Sequence, residues 1–436
     1  MAELSRRDRA NAGTRETAEM VELAIESIGA LGDGVAHHNG DAIFLPFTAP
    51  GDRLIARRIG AIHARAIEWR AYGPDRQAPP CPHFGVCGGC ALQHLSDAAY
   101  ATWKTGLARQ ALERRGFRDV KLAALVRTPP GSRRRAEFVG LRRGRTVALG
   151  FHARASRDIV AIETCLVLAP ALVALLAPLK ALLAGILAAG ERLDVHATLT
   201  ESGIDVLITA ARALDLGKRE RLAAFAHEVG LARLCWRPGP REPADPVTLA
   251  APPRITFGDV SVDLPPGAFL QASAAGEMAI VGAVLAAAGG CRRVADLYSG
   301  CGALSFALAR TARVHAFERE RAMVDALNAA AGRARLRGQV TAETRDLARR
   351  PLSPDELAAF DALVFDPPRE GARAQAETIA RSRVPLVVGV SCDPGTFARD
   401  ARILVEGGYR LEKLVPIDQF LWSPHLELVG VFERSA

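Results

Sequence analysis

The 436-residue chain reads as an α/β protein in three parts: a small N-terminal β-barrel, a central α+β domain and a C-terminal doubly wound, Rossmann-like α/β domain. Short β-type runs punctuated by Gly, Asp and Asn fill residues 17–75, the pattern of a small barrel. The last part of the chain repeats a strand, a Gly- or Pro-containing turn and a helix, the alternation that builds a parallel sheet covered by helices. An apolar content of 49% supplies the cores that two or three domains of this size need.

Residues 1–16 are rich in Arg and lack the apolar stretch of a signal peptide, so a disordered basic tail and a cytoplasmic protein are expected. MVELAIESI, GALGDGVAHHNGDAIFLP and GDRLIARRIGAIHARAIEW supply the barrel strands of residues 17–75, and GPDRQAPP (73–80) reads as a linker. A central domain is expected over 76–260. It opens with CPHFGVCGGC, whose Cys81, Cys87 and Cys90 are joined much later by Cys165 in IVAIETCLVL. Thiols this close, with Gly88-Gly89 letting the backbone wrap, suit a metal site. A disulfide framework is disfavoured in a chain of this length without an export signal. Spacing leaves zinc and iron–sulfur both open, although three clustered thiols and one remote thiol are the commoner set for a [4Fe–4S] cubane. The plain alternative is four unrelated cysteines. DAAYATWKTGLARQALERRGF has helical periodicity, with the C-terminal domain as an alternative packing partner, while RRAEFVGLRRGRTVALGFHA alternates like strands with arginines on an exposed face. APALVALLAPLKALLAGILAAG is apolar, but its prolines and Lys180 favour a soluble amphipathic helix over a membrane span.

Net charge is +8, and residues 261–436 hold 21 Lys/Arg against 21 Asp/Glu, so all the excess lies in front of them. Clusters occur at Arg53, Arg57 and Arg58, at Arg133, Arg134 and Arg135, and at Arg142, Arg143 and Arg145. This placement suits a polyanion such as RNA, gripped by the front of the chain and modified by the back; a solvated surface is the bland alternative.

In the C-terminal domain, expected over 261–436, CRRVADLYSGCGALSFALA reads as strand, turn and helix. Gly300 and Gly302 let a ligand approach the backbone, and Glu318 ends the next strand as an acid suited to ribose hydroxyls. A dinucleotide site would want GxGxxG, and only GxG is present, so S-adenosylmethionine is the better fit. Asp346 follows where such domains place an acid near the adenine, and Phe365-Asp366-Pro367-Pro368-Arg369 closes another strand. Cys392 in VSCDP follows an apolar run, and PHLE places Glu427 downstream. A thiol, a carboxylate with a basic partner and a second carboxylate in one domain suggest a nucleophile with acid/base support.

The chain resembles the RNA 5-methyluridine methyltransferase family over nearly its whole length. CPHFGVCGGC with Cys165, FLQAS, DLYSGCG, FDPPREG, SCDP and PHLE carry the likeness, and the N-terminal barrel is similar to the TRAM domain of RNA-modifying enzymes. By similarity Gln271, Tyr298, Gly300, Gly302, Glu318, Asp346 and Asp366 surround cofactor or base, and Cys81, Cys87, Cys90 and Cys165 hold an iron–sulfur cluster. The resemblance implies Cys392 adding to C6 of uracil, Glu427 removing the C5 proton, and Asp366 with Arg369 holding the base edge. FLQAS in place of FxQVN, and Ala303 in place of a polar side chain, depart from the family pattern. A barrel with a cluster domain points to 23S ribosomal RNA rather than transfer RNA, and nothing in the sequence demands a dimer. Amino-group methylation is disfavoured by Arg369 at the position where those enzymes carry an aromatic residue. A non-enzymatic cluster-bearing RNA-binding protein is the rival from another class.

Overall fold

The computed structural model describes residues 19–434; the expected tail at 1–16 lies outside them. Residues group into two compact units. One holds the described residues up to Gly85 with Cys90–Trp103 and Trp422–Pro424, the other Val86–Gly89, Lys104–Leu421 and His425 onward.

The first unit is built on β1 (Met20–Ala24), β2 (Ser27–Ile28), β3 (Gly34–His38), β4 (Asp41–Leu45), β5 (Arg53–Ile59) and β6 (His63–Ala71). They form one sheet in the order β1-β5-β6-β4-β3-β2, curled like a barrel. Alternation does the work: Val21 and Leu23 of β1 turn inward onto Ile43, Leu45, Leu54 and Ala56 while their neighbours face water. Asp52, fully buried, staples the β5 entry by accepting from Arg76 and from the amides of Ala49 and Gly73. Those donors hold its carboxyl below the usual range against the opposing pull of burial.

Helix α1 spans Asp97–Glu113. In the second unit, β7 (Val126–Arg127) precedes a seven-stranded sheet of β8 (Arg135–Arg143), β9 (Thr146–His152), β10 (Ile159–Ala161), β11 (Arg192–Thr200), β12 (Gly203–Ala210), β13 (Arg233–Arg237) and β14 (Asp245–Leu249). Its order is β10-β9-β8-β11-β12-β13-β14. The apolar stretch at 169–190 becomes α2 (Pro170–Ala174) and α3 (Leu176–Ile186), whose Leu172, Leu176, Leu179 and Leu183 pack into this sheet's core with Leu222 and Phe225 of α4 (Leu216–Glu228). Among the described residues no helix is long and apolar enough to cross a membrane.

Not every clustered arginine is available to a polyanion. Arg134 is buried, donates to the Gln271 carbonyl and pairs with Glu277 at 2.6 Å. Arg142 caps the end of α3 by donating to the carbonyls of Ala184 and Leu187.

After the hairpin β15 (Arg254–Phe257) and β16 (Val260–Asp263) comes α5 (Ala274–Ala288), then the second large sheet. Its strands are β17 (Arg293–Leu297), β18 (Arg313–Glu318), β19 (Val340–Thr344), β20 (Ala362–Phe365), β21 (Leu386–Ser391), β22 (Tyr409–Asp418) and β23 (Glu427–Arg434). Between them run α6 (Ala303–Leu308), α7 (Arg321–Arg333), α8 (Pro354–Leu357), α9 (Arg373–Ala380) and α10 (Pro394–Glu406). The order β19-β18-β17-β20-β21-β23-β22-β7 is parallel from β19 to β21, and β23 enters antiparallel. Strand order reverses at β17, which opens a crevice beyond the carboxyl ends of β17 and β20. This is the doubly wound domain expected from the sequence. Its outer strand β7 was not expected, since two residues carry no periodicity to read.

Candidate active site

Topology delivers the candidate residues to one edge of the sheet. Tyr298 follows β17, Glu318 ends β18, Asp366 follows β20 and Cys392 follows β21. The antiparallel register pairs Ser391 with Leu428, so Glu427, the residue before, enters the sheet beside the turn that carries Cys392. That turn is rigid. Asp393 caps α10 by accepting from the amides of Gly395 and Thr396, and Pro394 begins the helix.

Four polar side chains form one hydrogen-bonded chain across the crevice. Gln271 Nε2 donates to Asp366 Oδ2 at 2.8 Å; Gln419 Nε2 donates to Gln271 Oε1 at 2.8 Å and to Glu427 Oε2 at 2.7 Å. The Ala272 amide donates to Gln419 Oε1 at 3.1 Å, which fixes the orientation of that amide group. Gln419 was not anticipated: DQFLW carries no catalytic signature, and its partner Gln271 lies 148 residues away in sequence. Glu427 is 2% exposed and its Oε1 has no hydrogen-bond partner, so one oxygen is buried unsatisfied.

Burial and mutual repulsion set the electrostatics. Glu427 is pushed up to about 8 by burial and by the Asp366 charge, against the pull of Gln419. Asp366 is raised to about 7 by burial, against the hydrogen bond from Gln271. Both carboxyls therefore hold a proton more readily than an exposed acid does. Burial, with Glu427 and Asp366 adding to it, pushes the Cys392 thiol up to about 12, while Arg369 pulls the other way. Arg369 reaches the His425 ring with Nη2, and burial with Arg369 lowers His425 to about 4. Arg135 also senses Cys392; its guanidinium lies 4.3 Å from the Phe269 ring centroid, and burial brings it down to about 10.

Beside this cluster lies a ligand-shaped turn. Tyr298, Gly300 and Gly302 all have positive φ, at 63°, 56° and 97°. A Cβ on Gly302 would stand 2.9 Å from the Phe306 ring, whereas one on Gly300 would meet open space. The Gly300 amide donates to Glu318 Oε2 at 3.0 Å, and the Glu320 amide to Oε1 at 2.8 Å, so the acid at the end of β18 is pinned against the turn. Ser299 Oγ, within the same turn, is buried without a partner. Asp346 accepts from the amides of Ala348 and Arg349, which caps its own loop. Behind the turn, buried Asp296 accepts from Ser305 Oγ at 2.5 Å and is raised to about 7, chiefly by burial. Its place in DLYSGCG could have marked it.

The expected thiol ligands are half-buried. Cys87 Sγ accepts from the Gly89 amide at 3.5 Å, and Gly88 has no room for a Cβ, which would stand 2.8 Å from the His152 carbonyl oxygen. Cys81 and Cys90 belong to the first unit, Cys87 and Cys165 to the second. Among the described residues no group of three or more His, Cys, Asp or Glu is gathered to hold a metal.

Comparison with known proteins agrees with this geometry. A family model described as tRNA (uracil-5-)-methyltransferase matches residues 259–435. An uncharacterized RNA methyltransferase of Caulobacter vibrioides is 43% identical over 95% of this chain and 100% of its own length. The 23S rRNA (uracil(1939)-C(5))-methyltransferase RlmD of Chromohalobacter salexigens is 36% identical over 99% of this chain and 93% of its own. The solved structure of a Pyrococcus abyssi tRNA (uracil-54, C5)-methyltransferase in complex with S-adenosyl-L-homocysteine shares the fold, with a TM-score of 0.72 at 23% identity over 94% of this chain and 100% of that one. The relatives match from end to end, and the family's own segment spans the crevice that holds Asp366, Cys392 and Glu427: the chain belongs to the RNA (uracil-C5)-methyltransferase family.

Proposed function

We propose that the protein methylates C5 of a uridine in 23S ribosomal RNA through a covalent adduct on Cys392. The carrying observation is the β21–β23 register, which sets Glu427 beside the Cys392 turn and links it through Gln419 and Gln271 to Asp366. S-adenosylmethionine, held by the Tyr298–Gly302 turn, Glu318 and Asp346, supplies an electrophilic methyl group when bound.

Uracil C5 is a poor nucleophile until a thiolate adds to C6 and makes C5 enolate-like. Cys392 is held as a thiol at rest, so its proton passes to water as the uracil enters and the thiolate forms; Arg369 and Arg135 are the cations that favour the thiolate. Asp366 and Arg369 hold the polar edge of the uracil, and the Arg369 guanidinium offsets charge developing on its carbonyl oxygen. After methylation Glu427 takes the C5 proton, the C5–C6 double bond re-forms and the Cys392 sulfur is expelled. Its raised pKa suits a base working near neutrality. The uridine must leave its stack to reach the crevice, which a single-stranded loop allows at least cost.

The choice of 23S ribosomal RNA rests on the Chromohalobacter salexigens relative, and a cytoplasmic setting follows from that substrate. We also propose a [4Fe–4S] cluster on Cys81, Cys87, Cys90 and Cys165, supported by the cysteine spacing and by the N–H···S contact at Cys87. Anaerobic purification should yield iron and sulfide; stoichiometric zinc would overturn the cluster. The activity is tested with RNA carrying 5-fluorouridine, whose C5 substituent cannot be removed. A denaturation-resistant protein–RNA adduct is expected, and it should vanish in Cys392→Ala. Trapping by Cys392→Ala refutes the nucleophile, and absence of any adduct favours the non-enzymatic RNA-binding rival. Mapping 5-methyluridine in ribosomal and transfer RNA, with and without the protein, separates the two RNA classes.

A further inference from the structure

Lys104 is a fully buried cation that no step above uses. From α1 its ammonium contacts Asp418 Oδ1 at 2.8 Å, donates to the Phe420 carbonyl at 3.3 Å and donates to the His425 carbonyl. An ammonium carries three protons, and these three oxygens lie around it. All three lie on one stretch of chain, from Asp418 at the end of β22 to His425 just before β23.

Both ends of that segment bear on the candidate base. Asp418 precedes Gln419, which donates to Glu427, and His425 lies two residues before Glu427 with its ring against Arg369. The Asp418 carbonyl is itself held by the Thr128 amide and hydroxyl, each at 3.1 Å. Trp422, in the middle of the segment, is at φ 57°, a left-handed conformation that a bulky residue adopts only when its surroundings enforce it. A buried ion pair is a poor source of net stability, since an apolar pair of the same volume commonly does as well. What an ammonium adds is the ability to draw three oxygens to one point. Methionine fills the same space and draws none.

We infer that Lys104 is a positioning residue for Glu427, gathering the two ends of the 418–425 stretch so that the carboxylate faces the adduct on Cys392 when the C5 proton must leave. This rests on the reading of Glu427 as the base. Addition of the thiolate and methyl transfer use groups on other strands, so they should proceed without Lys104, and only release should suffer.

The test is a single-turnover reaction with S-adenosylmethionine and ordinary uridine RNA, followed by mass spectrometry of covalent protein–RNA species. Glu427→Gln should stall as an adduct already methylated at C5. Lys104→Met should accumulate the same methylated adduct, with release slowed roughly 100-fold, while trapping of 5-fluorouridine RNA and binding of S-adenosylhomocysteine stay unchanged. Should Lys104→Met fail to fold because Asp418 is left uncompensated, Lys104→Met/Asp418→Leu removes both charges, and the same accumulation is expected. Normal release in the folded variant overturns the inference. So does equal loss of trapping and release, which would mark a general structural role. If Glu427→Gln itself releases normally, the assignment of the base falls and the role of Lys104 with it; if Glu427→Gln stalls and the Lys104 variants do not, only the latter falls.

Discussion

Replacing Gln419 by leucine should move the acidic limb of product release to higher pH. Glu427 is 2% exposed, its Oε1 has no hydrogen-bond partner, and Gln419 Nε2 donates to Oε2 at 2.7 Å. Gln419→Leu keeps similar volume but leaves the ionised carboxylate without that donor. A hydrogen bond to a charged group contributes about 1.5–3 kcal/mol, and at 1.36 kcal/mol per unit this corresponds to an upward shift of about one to two units. Glu427 already sits near 8, and the base must be ionised to take the proton, so at pH 7 the ionised fraction falls and release slows by about 10- to 100-fold. The loss should recover as pH rises, because the variant lacks only charge stabilisation. The assay is decay of the isolated methylated adduct in the variant and the unaltered protein across a pH series. A double-mutant cycle sharpens it: with Glu427→Gln present, Gln419→Leu should have no further effect on the limb. A limb that stays in place, or moves down, refutes the reasoning, because a purely steric defect would lower the rate at every pH alike.

Asp366→Asn removes the charge that raises Glu427, so the same limb should move to lower pH even as the maximal rate falls; an upward move in the adduct-decay assay would contradict the coupling. Gly302→Ala forces a side chain onto φ 97° and against Phe306, and should cost about 1–3 kcal/mol while weakening S-adenosylhomocysteine binding, read by melting and calorimetry. Arg233→Met strands Asp205, which Arg233 holds at 2.7 and 2.8 Å in a buried bidentate pair, and should destabilise by about 3–5 kcal/mol in urea. Glu427 binds its proton more tightly folded than unfolded, so the stability it lends is complete below its ordinary value of 4.5 and is lost as pH rises through about 8. Glu427→Gln should therefore raise the melting temperature at alkaline pH, relative to the unaltered protein, and leave it unchanged near pH 4; the reverse order would show that the group is not buried as a strained acid.

Most of the crevice was legible because a doubly wound sheet delivers the residues after its parallel strands to one edge. Glu318, Asp366 and Cys392 could each be read from an apolar run followed by a turn, with no knowledge of what lay opposite, whereas Tyr298 came only with the family resemblance. Gln419 could not. Its role depends on β22 and β23 pairing so that Ile417 meets Glu427, and on Gln271 arriving from the segment before α5. Register between strands separated by a turn such as SPHLE is a property of the folded sheet, and DQFLW has no pattern that encodes it. The same distinction holds for charge. Counting arginines treats every guanidinium as solvent-facing, yet Arg134 spends its donors on Gln271 and Glu277, and Arg142 on the end of α3. What the clusters leave for a polyanion is Arg53 and Arg57 on β5 and Arg143 and Arg145 at the β8–β9 turn, all exposed. Every phosphate that a protein ceases to neutralise reduces the slope of log affinity against log salt by about 0.7–0.9. Charge reversal at those four positions should therefore flatten the salt dependence of RNA binding. The same change at Arg142 should leave that dependence intact and destabilise α3 instead, which makes the two kinds of arginine separable by one titration.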